Sequence, residues 1–198
     1  MKLPFTGGCS CGALRYECSA KPLFSWNCHC RDCQRASGSG YCPVMYVPKT
    51  ALKLTGPAAK YSMVHAESAR EVHRGLCTNC GSNLFILAEL VPEMQGLWAG
   101  SLDDPNIFKP QVNVWIRSAP AWSKIDAGMK RLDVAPNAEQ FQALLDEARA
   151  VDSMTYRIPH GSVALATDER DFGRDECHFL KLDGFALPMH KTARQKTA

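Results

Sequence analysis

The chain reads as a mainly β domain held together by bound metal and followed by one C-terminal helix. Three observations carry that expectation. From Leu14 to about Val134, apolar residues alternate with polar ones or run in short stretches bounded by glycine and proline. Seven of the ten cysteines fall into short, ligand-like spacings: Cys9 with Cys11, Cys28 with Cys30 and Cys33, and Cys77 with Cys80. One clear helical periodicity is present, beginning after Asn137.

Composition narrows the class. A chain of 198 residues buries roughly 70% of its unfolded surface, enough for a core without disulfide staples. The net charge of +3 is too small to argue for nucleic acid. Met189 to Ala198 carries Lys191, Arg194 and Lys196 without an acid and reads as a solvated tail. The longest apolar run, Leu84 to Ala88, stops at Glu89, far short of the ~20 residues of a membrane span. Met1 to Gly8 lacks the charged start and apolar run of a signal peptide. A cytoplasmic location is therefore expected, where thiols stay reduced and clustered cysteines bind metal or do catalysis. Cys-x-Cys and Cys-x-x-Cys neighbours also rarely suit structural bridges.

Taken in order, Gly7-Gly8-Cys9-Ser10-Cys11-Gly12 is a glycine-flanked knuckle that lets two sulfurs face one ion. Leu14, Tyr16 and Cys18 alternate with Arg15 and Glu17, which places Cys18 on the buried face of a strand. After the Lys21-Pro22 turn, Leu23 to Trp26 leads into the triple-cysteine stretch, and Ala36 to Gly40 reads as a small-residue loop. Tyr41 to Val47 is a buried strand, with Pro43 arguing for an edge position or a late start. Leu52 to Thr55, Ala59 to Met63 and Arg70 to Leu76 read as strands, and Leu84 to Leu87 as a return to the core. Leu97 to Leu102 and Val112 to Ile116 follow, separated by the turn-forming Asp103-Asp104-Pro105-Asn106. Asn137 caps the helix, with Gln140 three residues on and an apolar stripe of Phe141, Leu144, Leu145 and Ala148 that should dock on the sheet. Beyond Asp152, Ser162 to Thr167 and Cys177 to Leu182 alternate as two further strands. His160, Cys177, His178 and His190 match no tight ligand spacing.

Zinc prefers four tetrahedral ligands; four cysteines make a closed structural site, whereas three protein ligands leave a position for chemistry. Seven cysteines divide as four plus three, which implies two zinc ions. Cys9, Cys11, Cys77 and Cys80 join two distant knuckles in a structural site. Cys28, Cys30 and Cys33 form a second, catalytic site whose fourth position is open, or else closed by Cys42, whose plainer role is core filling. The spacing favours the open reading. An incoming thiol there would be held as thiolate at neutral pH and suited to attack on a carbonyl carbon. His29, beside two ligands, is expected to point away from the ion, as a neighbouring group or at the surface. Arg31 and Arg35 either pair with a carboxylate of a peptide-like thiol or are solvated.

Four stretches together resemble the glutathione-dependent formaldehyde-activating enzyme (GFA) family, which also includes centromere protein V. They are Gly8-Cys9-Ser10-Cys11-Gly12, Cys28-His29-Cys30-Arg31-Asp32-Cys33-Gln34, Cys77-Thr78-Asn79-Cys80-Gly81-Ser82 and Ser101-Leu102-Asp103-Asp104-Pro105. The resemblance covers Leu3 to Val134 and agrees in the order and spacing of all seven cysteines. It implies a tent-like, zinc-stabilised β fold, a structural site from the outer pairs and a catalytic site from the triplet. It also implies addition of glutathione to formaldehyde, formally the reverse of a carbon-sulfur lyase reaction. One departure stands out: the family's His-Ile-Trp element corresponds to Asn113-Val114-Trp115, and asparagine hydrogen-bonds but does not titrate near neutral pH. The expectations are thus a GFA-type zinc-binding catalytic domain over 1–135 and a helix with extension over 136–198. The expected partners are a glutathione-like thiol and an aldehyde; the competing reading is a zinc-stabilised, non-catalytic binding module.

Overall fold

The computed structural model describes residues 1–56, 59–65, 67, 71–88 and 91–151. In chain order the elements are β1 (Phe5–Gly8), β2 (Arg15–Cys18), β3 (Phe24–Cys28), α1 (Arg31–Ser37), β4 (Cys42–Pro48), β5 (Leu52–Thr55) and β6 (Ala59–His65). Then follow β7 (Glu71–Cys77), β8 (Asn83–Ala88), β9 (Met94–Trp98), β10 (Val112–Val114), β11 (Lys130–Leu132) and α2 (Ala138–Val151). The fold is mainly β, as the alternation predicts. A three-stranded antiparallel sheet, β1-β2-β5, lies beside an eight-stranded sheet in the order β11-β10-β3-β4-β9-β8-β7-β6. The large sheet is antiparallel except at β10, which runs parallel to both β3 and β11.

The large sheet sorts its residues onto two faces because strand side chains alternate. On one face Met45, Val47, Phe85 and Leu97 meet Phe5, Leu14, Tyr16 and Cys18 from the small sheet side. On the other, Phe24, Cys28, Cys42, Val44, Tyr46 and Ile86 pack with Phe141, Leu144 and Leu145 of α2. Phe24 is the hub there: it stacks on Tyr46 at 4.6 Å and meets Phe141 edge-on at 5.1 Å. The helix begins with a reciprocal capping box, the Gln140 N–H donating to Asn137 Oδ1 at 2.8 Å and the Asn137 N–H to Gln140 Oε1 at 3.0 Å.

Several boundaries differ from expectation. Arg31–Ser37 is a helix that takes in Ala36 and Ser37 of the loop expected over Ala36 to Gly40, and β1 and β11 are strands that short glycine-rich or charged stretches hide. β4 lies between β3 and β9 and is no edge strand. Its pairing with β9 starts at Val44, so the missing N–H of Pro43 falls before that ladder begins. The expected strand over Leu97 to Leu102 gives way at Ala99–Ser101 to a 3-10 turn, where the Ser101 hydroxyl donates to the Trp98 carbonyl at 2.7 Å. The strand expected over Val112 to Ile116 ends at Val114, because Trp115 adopts a left-handed backbone with φ of 62°. The strands expected over 162–167 and 177–182, the residues His160, Cys177, His178 and His190, and the basic tail lie outside the described residues.

Phe141 is 3% exposed and fills the space over Phe24. Phe141→Ala should cost about 3–5 kcal/mol of stability in urea unfolding. A loss below about 1 kcal/mol, the level of ordinary surface substitutions, would show that α2 is not part of this core.

Candidate metal centres

The first cluster is built from two knuckles of similar design. Cys9 follows β1, and its N–H donates to the Leu14 carbonyl at 2.9 Å; Cys77 ends β7, and its N–H donates to the Ser82 carbonyl at 2.9 Å. Each chain then turns sharply. Gly12 and Gly81 take left-handed conformations, with φ of 75° and 74°, that a side chain would strain. Their N–H groups return to Cys9 and Cys77 carbonyls at 3.1 and 2.8 Å. The knuckles touch through Ser10 and Ser82, whose hydroxyls share a 3.1 Å hydrogen bond. Sulfurs of Cys9, Cys11, Cys77 and Cys80 all lie within 4.8 Å of one another. The Cys9–Cys11 and Cys11–Cys77 separations of 3.5 and 3.7 Å match the ~3.8 Å edge of a tetrahedron with 2.3 Å zinc–sulfur bonds. The donor set therefore fits a closed zinc site. The Ser82 hydroxyl and N–H pull the exposed Cys80 thiol down to about 6, which favours the ligating form.

The second cluster sits on the opposite face of the large sheet. Cys28 ends β3 and is paired with Val114 of β10 on one side and Cys42 of β4 on the other. Two residues on, Cys30 caps α1, and its sulfur accepts the Cys33 N–H at 3.3 Å. One helical turn thus carries the third sulfur back toward the first two. The sulfurs of Cys28, Cys30 and Cys33 lie within 4.8 Å of one another, and all three residues are buried. Cys42 is fully buried next to Cys28 but falls outside that set. Hydrogen bonds from Cys28, Cys30 and Cys42 hold the Cys33 thiol well below its usual range, while its bonds to Cys30 and Cys33 push Cys28 well above. Three thiols so close cannot all ionise without a cation among them, which is the condition a metal relieves.

Around the triplet the polar groups are fixed. His29 is 1% exposed and not at the surface; its Nε2 lies 3.1 Å from Asn113 Oδ1, which also accepts Asn27 Nδ2–H at 3.2 Å. The His29 ring lies 5.2 Å from that of Tyr41. Gln34 donates from Nε2 to the carbonyls of His29 and Ser118 at 2.6 and 2.8 Å. Arg31 turns to the Gln34 side chain, and Arg35 stands 3.8 Å from Asp32. Glu67 accepts the Arg31 N–H at 3.1 Å and the Ser118 hydroxyl at 2.8 Å. The Asp103-Asp104-Pro105 turn serves the small sheet: Asp103 binds Arg15 and Thr6, and Asp104 caps the turn at Asn106. A cleft of about 320 Å³ is lined by Ser10, Ser37, Tyr41, Ser82, Trp98 and Ser101 among others, and no cysteine lines it.

Comparison with known proteins places the chain in a family. The family model described as "Glutathione-dependent formaldehyde-activating enzyme" matches residues 4–118. The chain belongs to this family. Among GFA relatives, a Penicillium rubens protein named "Putative glutathione-dependent formaldehyde-activating enzyme" is 34% identical over 98 residues, 47% of this chain and 50% of that one. The chain thus spans about half the length of the curated relative it matches. A crystal structure of a Rhodobacter sphaeroides protein is 17% identical, covering 64% of this chain and 98% of that chain, with a TM-score of 0.41.

The seven cysteines of the short spacings fall into the two clusters, in the division four plus three, while Cys18 and Cys42 belong to neither. Arg74 and Glu67 escaped notice. Arg74 carried a signal: between Val72 and Leu76 it occupies an inward position of an alternating strand, where a charge is out of place.

Two outcomes test the four-sulfur site. Cys77→Ser should remove one equivalent of zinc and lower the melting temperature of the whole domain, since metal binding and folding are coupled in such sites; an unchanged melting temperature would contradict a fold-holding role. In metal-stripped protein whose far-UV spectrum stays folded, iodoacetamide at neutral pH should modify Cys80 ahead of the other clustered cysteines, with a half-maximal rate near pH of about 6. Zinc should suppress the labelling. A profile rising only with ordinary thiol ionisation would show that Ser82 does not activate Cys80.

Proposed function

We propose that the protein is a zinc-dependent enzyme that adds glutathione, or a similar small thiol, to formaldehyde or another aldehyde. The reaction is formally the reverse of a carbon-sulfur lyase step. The observation that carries this reading is the inequality of the two clusters: four sulfurs in one, three in the other, with the nearest further thiol, Cys42, outside the set. Family membership and the name of the Penicillium rubens relative supply the thiol and the aldehyde. In this reading Cys9, Cys11, Cys77 and Cys80 hold a structural zinc, and Cys28, Cys30 and Cys33 hold a catalytic one. The proposed catalytic unit is residues 1–135, with 136–198 as a helix and extension, acting in the cytoplasm.

Zinc bound at the triplet would supply a Lewis acid that keeps a thiol sulfur anionic at neutral pH. The chain's own residues supply position. Cys28 is fixed between two strands, and Cys30 and Cys33 are fixed by the first turn of α1. His29 is anchored through its side chain to Asn113 and through its backbone to Gln34 and to Val114, whose carbonyl accepts its N–H at 2.9 Å. That anchoring keeps the Cys28–Cys30 segment from relaxing away from a metal. Asn113, standing where the family often has a histidine, acts here as a hydrogen-bonding anchor and not as a proton carrier.

The loaded protein should contain about two zinc ions per chain and convert glutathione and formaldehyde to the hydroxymethyl thioether faster than the background reaction by proton NMR. Cys30→Ser should lose that activity and about one zinc while keeping a folded far-UV spectrum. A serine variant that turns over normally would sink the catalytic assignment. Cobalt-substituted protein whose triplet spectrum ignores added glutathione would favour the binding-module reading instead.

A further inference from the structure

Arg74 is a buried cation without an anion. It is 3% exposed, its Nε has no hydrogen-bond partner, and no carboxylate pairs with it among the described residues. The carboxylates with ion-pair partners face other cations: Glu67 faces Arg117, Glu71 faces His73, and Asp32 faces Arg35 through Oδ1 while its Oδ2 is buried without a hydrogen-bond partner. A guanidinium does not escape this situation by losing its proton, and an unpaired charge in a dry interior is strongly unfavourable. Something anionic must therefore share its environment in the working protein.

The register of the sheet says what that is. Arg74 pairs with Ile86, Ile86 with Gly96, Gly96 with Tyr46, and Tyr46 with Phe24, a single row across five strands. Residues directly opposite one another share a face, so Arg74 lies on the same face as Tyr46. Cys42 and Val44 alternate with that position along β4, and Cys28 stands opposite Cys42. The guanidinium is thus directed to the face that carries the sulfur triplet. Its cross-strand partner Ile86 lies in the same buried cluster as Cys28, Cys30, Cys33 and Cys42, and Val72, two residues before it on β7, packs against that cluster. Cys77, three residues along β7, belongs to the opposite face.

We propose that Arg74 is the counter-charge of the Cys28–Cys30–Cys33 centre, a positioning residue that offsets the excess negative charge of three thiolates on one divalent ion and favours uptake of a further thiolate. This deepens the proposed function and rests on the triplet being a metal site. Three thiolates on a divalent ion leave one net negative charge, and a bound substrate thiolate makes it two. The dependence on Arg74 should be larger for thiol uptake than for metal binding.

The test compares the full chain with Arg74→Met and Arg74→Lys, using cobalt and zinc in competition with a chelator and reading each site by its cobalt–thiolate spectrum. Arg74→Met should weaken metal binding at the triplet by roughly 10–100-fold, weaken glutathione uptake there further, and leave the four-sulfur site within about twofold. Arg74→Lys should recover most of the loss, since charge and not shape is at issue. Arg74→Gln provides the same neutral comparison if the methionine variant does not fold. Equal triplet affinity in a neutral variant and the parent would overturn the proposal. So would a lysine variant as weak as the neutral one, or equal weakening at both sites. A parent protein whose triplet takes up no metal would overturn the metal reading itself, whereas a parent that loads normally beside an unaffected Arg74→Met overturns only the role of Arg74.

Discussion

Closure of the four-sulfur cluster is the constraint on which the rest of the fold depends. The small sheet has strands of four residues each, and its apolar side is buried against the large sheet. It is held to the large sheet by apolar contacts from Phe5, Leu14, Tyr16 and Cys18 and by the meeting of Cys9 and Cys11 with Cys77 and Cys80. The linked positions Cys11 and Cys77 are 66 residues apart, so the ordering cost of the intervening chain is large, whereas the loop-closure cost grows only slowly with length. A strong local bond set at the end of that loop is therefore effective. Gly7 makes the close approach possible: a Cβ there would come within 2.2 Å of the Tyr16 hydroxyl oxygen, which reaches the Ser101 hydroxyl at 2.9 Å.

With the small sheet in place, one face of the large sheet is committed to holding the fold and the other is free to build a site. The triplet occupies that second face near the middle of the sheet, where β3 has a neighbour on each side. Cys28 inherits the rigidity of two ladders, and Cys30 and Cys33 inherit that of a helical turn pinned by Glu67 and Gln34. Glu67 shows the electrostatic consequence: burial alone would raise its pKa, but the Arg31 N–H, the Ser118 hydroxyl and Arg117 together pull it below the usual carboxylate range. A carboxylate kept ionised in this way remains a constant acceptor for the backbone next to Cys30.

The cysteine spacings were legible because metal geometry acts at short range: two sulfurs separated by one or two residues already imply a common ion, and glycine marks where the chain must turn. The strands were legible where alternation was clean, as in Tyr16 and Cys18. Three features were hidden because their causes are non-local. Helix α1 is short, begins at a ligand and owes its position to Glu67 and Ser118, not to intrinsic preference. The early end of β10 depends on the left-handed Trp115, whose ring is covered by Arg117 at 4.9 Å. Asn113 looked like a missing histidine; only the pairing of β3 with β10 shows that it sits against His29 and Asn27.

The two clusters also solve different charge problems. With a divalent ion bound as proposed, four thiolates would carry two excess negative charges, but Cys11 and Cys80 are exposed, so water and salt would screen them. The triplet is buried throughout, where the same charges interact far more strongly and compensation must come from the protein. On the proposed reading Arg74 balances the three protein thiolates alone. A substrate thiolate then arrives as the one charge in excess, held less firmly than the cysteines beside it. On the same reading, a sulfur that had gained the aldehyde carbon would be uncharged and would no longer add to the charge that Arg74 balances. A centre of three thiolates and one guanidinium would thus favour a fourth sulfur while it is anionic and not once it is neutral.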